Sequence, residues 1–361
     1  MEFPGPGPVV HAPNVVTAAE LTWTTDEAPG LGRQRRGKGF SYLDQDARPI
    51  SDPAALERIR ALAIPPAWTS VWISPDPCSH IQATGRDGRG RKQYIYHPEW
   101  RAIRDATKFH RMLAFGRALP RIRRRVQSDL ARRALDHRRV VAGVVRLLDL
   151  AAVRVGNEQY AIENKSFGLT TLRCRHVSVL GESVRLSFNG KGGKKHSIEV
   201  CDRRVARVIR DCSELPGQVL FQYLDGGGRD RIRSQDVNAY LREAAAGEFT
   251  AKDFRTWTAS VVAASLLACE PVPASKTAAT RTENRIADLV AERLGNTRSI
   301  CKQCYISPAV FDAFRQGTLQ EAWRRNRARW RRTANPEERL LLWVLKQSDS
   351  APRSDAEGGS P

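Results

Sequence analysis

Near Arg104 the hydrophobic period of this chain changes, and the change separates two kinds of architecture. Before it, short aromatic-containing runs alternate between apolar and polar residues and are broken by turns: Leu21-Thr-Trp-Thr, Gly39-Phe-Ser-Tyr-Leu, Thr69-Ser-Val-Trp-Ile and Ser79-His-Ile-Gln-Ala-Thr-Gly. That is the spacing of strands with one face turned inward. After it, Val141, Val144, Val145, Leu148 and Ala152 recur on one stripe of a helix. Strands first and helices afterwards give an α+β chain, with a small β-sheet-rich lobe over residues 17–104 and a larger, mainly α-helical lobe over residues 105–347. Residues 1–16, rich in Pro and Gly, and residues 348–361, rich in Ser, Asp, Gly and Pro, read as flexible tails.

Charge narrows the partners. The 361 residues carry 59 Lys and Arg against 39 Asp and Glu, a net charge of +20, and most of the cations are Arg. Guanidinium groups suit planar, bidentate phosphate contacts, so the balance favours a nucleic acid over a membrane surface. The longest apolar runs, such as Ser260 to Cys269, are too short to span a bilayer, and the N-terminus has no signal-peptide pattern. A cytoplasmic location follows. The 7 cysteines are an odd number in a chain too large to need disulfide staples, so reduced thiols are expected. Cys301 and Cys304 form a lone CxxC with no second pair, which argues against zinc, and no GxxxxGK[ST] loop is present, so neither a metal nor ATP is expected.

Several stretches carry chemistry. Gly85-Arg-Asp-Gly-Arg-Gly-Arg-Lys leads into Gln93-Tyr-Ile-Tyr-His, where Tyr94 and Tyr96 share one strand face beside Arg91, Lys92 and Gln93. Such a face either lies on a nucleic-acid backbone or is a half-buried strand with a solvated basic turn. The clusters Arg123–Arg125, Arg132–Arg133 and Arg138–Arg139 are expected to build a phosphate-facing surface, although any one charge run is more often a solvated face. Gly156 breaks the helical run just after Arg154, which puts that arginine at an element boundary. Asn189-Gly-Lys-Gly-Gly-Lys-Lys reads as a hairpin tip carrying Lys191 and Lys194, able to push an ammonium into a groove. Lys252 and Arg255 fall in the first turn of an apolar helix, where a cation is disfavoured by the dipole unless an anion binds there or a carboxylate such as Glu243 pairs with it. A helix from about Glu283 to Leu294 ends at Gly295, with Asn296 next, and Asn296 to Tyr305 reads as a mobile linker or loose helix. Trp323 to Arg332 is a further basic segment with two Trp. Tyr305 itself stands in strongly cationic surroundings, and a phenol with its ordinary pKa near ~10 is a poor nucleophile without such charge.

Taken together, Ile64-Pro-Pro-Ala-Trp, Gly90-Arg-Lys-Gln-Tyr-Ile-Tyr-His, Arg154-Val-Gly-Asn with Phe167-Gly-Leu-Thr-Thr-Leu, Phe188-Asn-Gly-Lys, Lys252-Asp-Phe-Arg-Thr-Trp and the Gly-Asn-Thr segment leading to Tyr305 resemble type IB DNA topoisomerases of the compact bacterial and poxvirus kind. The resemblance spans roughly residues 20–345. It implies two lobes that clamp double-stranded DNA as a monomer, and relaxation of positive and negative supercoils through a transient 3′-phosphotyrosyl link, with no cofactor. By this resemblance Tyr305 is the nucleophile, Arg154 and Arg255 hold the scissile phosphate, Lys191 is the general acid and Lys252 a second proton carrier. The contacts to DNA fall on Arg91, Lys92, Gln93, Tyr94, Tyr96 and Lys194, and the cellular setting is the nucleoid. The sequence departs from the poxvirus pattern at Asn296, where a histidine is expected. An asparagine amide donates a hydrogen bond but carries no charge, so an electrostatic role is expected there and no acid–base role. A tyrosine recombinase would share the chemistry but is expected to have a helical DNA-clamping domain in place of the β-rich lobe, and a non-catalytic DNA-binding protein would have no use for this combination of residues.

Overall fold

The computed structural model describes residues 21–350, apart from Lys38 and Arg89 and the side chains of residues 101–108 and His110. The expected N-terminal tail and residues 351–361 of the expected C-terminal tail lie outside the described residues. Residues 348–350 are described, and they extend a helix instead of starting a flexible tail. The chain divides into two compact units between Lys108 and Phe109.

The first unit is built on an antiparallel sheet of β1 (Leu31–Arg36), β2 (Gly39–Leu43), β3 (Thr69–Ile73), β4 (Ile81–Arg86) and β5 (Lys92–Tyr96), in the order β2-β1-β3-β4-β5. Leu21-Thr-Trp-Thr, expected as a strand, contributes only a single bridge from Thr22 to Ser79. β1, in contrast, has the sequence Leu-Gly-Arg-Gln-Arg-Arg, with no apolar alternation to announce it. Its place is fixed by pairing with β2 and β3. Helix α1 (Pro53–Ala61) starts where the Asp52 carboxylate accepts from the Ala54 and Ala55 amides, and it buries Ile59 among Ile64, Val71, Ile73 and Ala83. The Ile64-Pro-Pro-Ala-Trp turn is held by Arg33, whose guanidinium donates to the carbonyls of Ile64, Pro65 and Trp68 at 3.0, 3.0 and 2.7 Å. In this unit the motif is therefore structural.

Helix α2 (Pro98–Leu130) begins ahead of the expected start near Arg104. Proline is well placed at a first helical position because the amide it lacks has no intrahelical partner, and Glu99 in the first turn suits the dipole. The second unit continues with α3 (His137–Ala151), α4 (Glu158–Asn164), a three-stranded antiparallel sheet of β6 (Val177–Leu180), β7 (Ser183–Asn189) and β8 (Lys195–Cys201), α5 (Arg203–Ser213), the hairpin β9 (Gln222–Asp225) and β10 (Gly228–Arg231), α6 (Ser234–Ala245), α7 (Ala251–Ala268), α8 (Lys276–Leu294), α9 (Arg298–Cys304), α10 (Pro308–Arg315), α11 (Thr318–Trp330) and α12 (Pro336–Ser350). The mixed fold, sheet first and then mostly helix, is the expected α+β class.

α3 is the spine of this unit. Val140, Val141, Val144, Val145, Leu147 and Leu148 are each at most 1% exposed, and the helix packs against α5, α6 and α7. Each such side chain contributes about 1.5–3 kcal/mol on burial. The position of whatever follows α3 is thereby fixed.

The arginine clusters do not form the expected open phosphate-facing surface. Arg123 bridges Asp149 at 2.8 Å and Glu338 at 2.7 Å, Arg125 pairs with Asp129 and Glu243, Arg132 with Asp136, Arg138 with Glu243, and Arg139, 4% exposed, with Asp211 at 2.6 Å. Only Arg124 and Arg133 among them keep exposed guanidiniums without a partner among the described residues. Asp129 and Asp136 are local, four residues on from Arg125 and Arg132, but Asp149, Glu338, Glu243 and Asp211 come from elements distant in the chain, which a local charge count does not register.

Candidate active site around Tyr305

Five of the expected residues, Arg154, Lys194, Arg255, Asn296 and Tyr305, converge in the second unit. The α3 helix ends at Ala152, whose left-handed backbone turns the chain outward, and Arg154 follows on the next loop. That loop is gripped by Phe167-Gly-Leu-Thr-Thr-Leu: Leu169 and Thr170 donate backbone hydrogen bonds to the Arg154 and Val155 carbonyls at 3.0 and 2.7 Å. Gly168 lies so close that a Cβ there would sit 2.5 Å from the Gly156 nitrogen. The two motifs are one device that holds the backbone of Arg154.

Arg255 enters from the first turn of α7 and is 4% exposed. Its guanidinium donates to the Ala152 carbonyl and, at 2.9 Å, to the Leu294 carbonyl, so one side chain ties the end of α3 to the end of α8. It does not pair with Glu243, which is engaged by Arg125 and Arg138. The expected helix from Glu283 begins earlier, at Lys276, capped by Ser275, and terminates at Gly295 in the left-handed region (φ +62). Asn296 follows, 7% exposed, and its Oδ1 accepts from Arg154. Lys194, expected at DNA, reaches back and donates to the Asn296 carbonyl at 2.6 Å.

The segment from Asn296 to Tyr305, expected as a mobile linker or loose helix, forms the short helix α9, capped by Thr297. It is pinned from below by Lys302, which donates to Asn284 at 2.9 Å and pairs at 3.3 Å with Glu283, a carboxylate 1% exposed that also receives Arg315. Tyr305 caps α9, and the Arg255 guanidinium carbon lies 5.1 Å from the centre of its ring.

Ser260, not singled out from the sequence, finishes this arrangement. It is fully buried on α7; its hydroxyl donates to the Tyr305 carbonyl at 3.1 Å and accepts from the Ser307 amide at 2.9 Å. The backbone on both sides of Ile306 is thus tied to the helix that carries Arg255. Little in the sequence signals it, because Ser265 stands in the same apolar run and nothing local distinguishes the two. Ser260→Ala is expected to leave two buried backbone groups unpaired, costing about 1–3 kcal/mol of stability. It is also expected to slow covalent chemistry by about 10-fold or more through loss of registry. Denaturant unfolding and single-turnover kinetics on the same variant separate the two effects.

Electrostatically the cluster is unfinished. Burial, reinforced by Arg255, pushes the Arg154 guanidinium below its ordinary pKa. The Arg255 Nε is a buried donor without a partner among the described residues, and the buried Asn296 Nδ2 has only the weakly accepting Cys301 thiol beside it. Two guanidiniums so placed call for a bound anion: it would offset their repulsion and accept the unused N–H groups. Lys191 and Lys252 are exposed and make no side-chain hydrogen bond or ion pair among the described residues. Lys191 sits in the turn that joins β7 to β8.

In the first unit, Tyr94 and Tyr96 stack with ring centres 5.8 Å apart on the shared face expected of them. Their basic neighbours are engaged internally: Lys92 pairs with Asp26 at 2.7 Å, Arg91 with Asp87 at 2.6 Å, and Gln93 donates to Asp87 at 3.0 Å. Among the described residues no group of three or more His, Cys, Asp or Glu is placed to hold a metal ion, and no helix is long and apolar enough to cross a membrane.

The chain is α+β, with the Tyr305 ring beside Arg255 and with Arg154 close to both. Comparison with known proteins gives its family. Residues 97–328 match the family described as the catalytic core of eukaryotic DNA topoisomerase I, and residues 39–87 match the N-terminal domain of bacterial DNA topoisomerase IB. The DNA topoisomerase 1B of Acanthamoeba polyphaga mimivirus is 32% identical over 285 residues, covering 77% of this chain and 85% of the viral one. That of vaccinia virus (strain Copenhagen) is 22% identical over 280 residues, covering 73% and 83%. A solved structure of the XerH site-specific recombinase bound to difH substrate aligns with a TM-score of 0.34 and 10% identity, over 55% of this chain and 52% of that one. The chain belongs to the DNA topoisomerase IB family.

Proposed function

We propose that this protein relaxes positive and negative supercoils in double-stranded DNA by cutting one strand, holding the end as a 3′-phosphotyrosyl ester and resealing it, without ATP or a metal ion. The Tyr305 oxygen attacks phosphorus and gives its proton to water as the new P–O bond forms. The bond from phosphorus to the 5′-oxygen breaks, and that oxygen takes a proton from Lys191, whose ammonium is exposed and free to approach it. Charge that builds on the non-bridging oxygens is met by Arg154, Arg255 and the Asn296 amide, without reorganisation at the moment of reaction. Lys252 is a second proton carrier on the exposed side of α7. Resealing is the reverse attack by the 5′-hydroxyl, and because the ester conserves the bond energy no nucleotide is consumed.

The observation that carries this reading is the meeting of the Arg154 and Arg255 guanidiniums with the Asn296 amide and the Tyr305 ring, with the buried Arg255 Nε left unused. Residues 17–104, through Tyr94 and Tyr96, with Arg91, Lys92 and Gln93 released from their carboxylates, and Lys194 in the catalytic part, residues 105–347, bind the DNA backbone. The protein acts as a monomer, in the cytoplasm at the nucleoid, and not at a membrane. The test is plasmid relaxation by the purified protein in excess EDTA and without ATP, on both signs of supercoil, with a detergent-quenched sample alongside. Relaxation of both signs together with a protein adduct on the 3′ side of the nick is expected. Binding with neither relaxation nor adduct would sink the proposal and leave a DNA-binding protein.

A further inference from the structure

His196 belongs to no step written above, yet it lies at the centre of the site. It is on β8, directly across from Phe188 on β7, and the two rings stack with centres 5.1 Å apart and planes 17° from parallel. Its other neighbours are glycines from two separate elements. A Cβ on Gly190, at the base of the hairpin that carries Lys191, would fall 2.5 Å from Nε2 of the imidazole. A Cβ on Gly295, at the turn that presents Asn296, would overlap its Cε1. Gly190 has an ordinary φ of −91, so its backbone does not demand glycine; the ring beside it does.

The imidazole therefore fills the gap between the lysine hairpin and the asparagine turn, and a second tie, Lys194 to the Asn296 carbonyl at 2.6 Å, closes the same gap. Among the described residues the ring makes no hydrogen bond. Burial, with Arg154, Arg255 and Lys194 adding to it, pushes His196 below its ordinary pKa, so at neutral pH it is an uncharged wedge and adds no cation to an already crowded site. Lys191, by contrast, lies in a turn with glycines at φ +76 on positions 192 and 193, closed onto Gly190 by the Gly193 amide donating to the Gly190 carbonyl at 3.0 Å and the Gly190 amide donating to the Lys194 carbonyl at 2.7 Å, so the backbone of the turn goes where Gly190 goes. What fixes it is the base of the hairpin.

We propose that His196 is a positioning residue for the proton-transfer step: wedged between Gly190 and Gly295, it sets the placement of the Lys191 hairpin against the Arg154–Asn296 pair. This rests on the cleavage reading given above, and it makes a claim that reading does not contain. Removing the wedge impairs delivery of the proton to the leaving 5′-oxygen and leaves the phosphate grip intact.

Substrate chemistry isolates that step. In a duplex whose bridging 5′-oxygen is replaced by sulfur at a site the wild-type protein cleaves, the same P–O bond to Tyr305 forms and a P–S bond breaks. The thiolate leaves without needing a proton. His196→Ala is expected to form the covalent adduct about 10- to 100-fold more slowly than wild type on the oxygen duplex, as a displaced acid would. On the sulfur duplex it is expected within about threefold of wild type, with unchanged DNA binding. Gly190→Ala, which pushes a methyl into the ring, should show the same pattern, and the double variant should be no slower than the worse single one because the methyl then occupies the vacated space. An oxygen-substrate rate unchanged in His196→Ala, equal slowing on both duplexes, or full additivity of the two substitutions would each overturn the inference while leaving the cleavage reading standing. Failure of the wild-type protein to form any adduct would remove both.

Discussion

Tyr305→Phe is expected to form no covalent adduct with DNA and to relax no plasmid, while binding duplex DNA almost as the wild type does. The substitution removes one oxygen. The ring remains to pack near Arg255, the Tyr305 carbonyl still accepts from Ser260, and α9 is still pinned through Lys302 and Glu283. These supports of the local fold are kept, so a stability change beyond about 1 kcal/mol is not expected. The other described tyrosine partly buried against the core cluster of the second unit is Tyr223, on a separate hairpin beside His137. A detergent-trapped adduct with the Phe variant, detected by denaturing gel after incubation with labelled DNA, would move the nucleophile elsewhere and undo the site as drawn.

The sequence made the backbone of this site legible wherever a local rule was strong. A glycine after an amphipathic run marked the end of α8 at Gly295, and the break at Gly156 placed Arg154 at the boundary of an element. Alternation on both sides of a Gly-Lys tip gave the β7–β8 hairpin. What was not legible depends on residues far apart in the chain. Ser260 looks like one more small residue in an apolar helix until the Tyr305 carbonyl and the Ser307 amide are brought to it. Glu283 reads as an ordinary charge on a helix, but it is buried between Lys302 and Arg315. The arginine clusters are similar in part: Asp129 and Asp136 are visible four residues on, but Asp149, Glu338, Glu243 and Asp211 each reach their arginine from a different helix. In the first unit β1 has no hydrophobic period of its own and exists because β2 and β3 flank it.

A chain of net charge +20 has at least 20 cations with no carboxylate of their own, and two of them, Arg154 and Arg255, lie inside the site. Most arginines of the clusters on α2 and α3 are paired with carboxylates, Arg124 and Arg133 excepted, whereas Arg154, Arg255, Lys191 and Lys252, the residues assigned to the reaction, have none among the described residues. The two arginines are held by carbonyl and amide oxygens, which orient a guanidinium without cancelling its charge. A carboxylate partner would have oriented them equally well and left much less field for a phosphate.

Arg255 is the place where that argument is most exposed to test. Arg255→Ala is expected to lower the rate of covalent adduct formation by about 100- to 1,000-fold, the usual result of removing one preorganised donor from a developing oxyanion. DNA binding should weaken far less, because the contact strengthens only as charge builds on the phosphate. The same change leaves the Ala152 and Leu294 carbonyls without their buried donor, at a cost of about 1–3 kcal/mol each in stability, so an inactive variant could simply be a loosened one. Arg255→Lys separates the two explanations. An ammonium keeps the charge and can satisfy one carbonyl, but it has no fork with which to hold both carbonyls and still offer an N–H to phosphate. The lysine variant is therefore expected to regain most of the unfolding free energy in a denaturant titration and to remain slowed by at least about 10-fold in single-turnover cleavage. Recovery of rate in step with stability would show that Arg255 acts on the fold, and the transition-state role would pass to Arg154 and Asn296 alone.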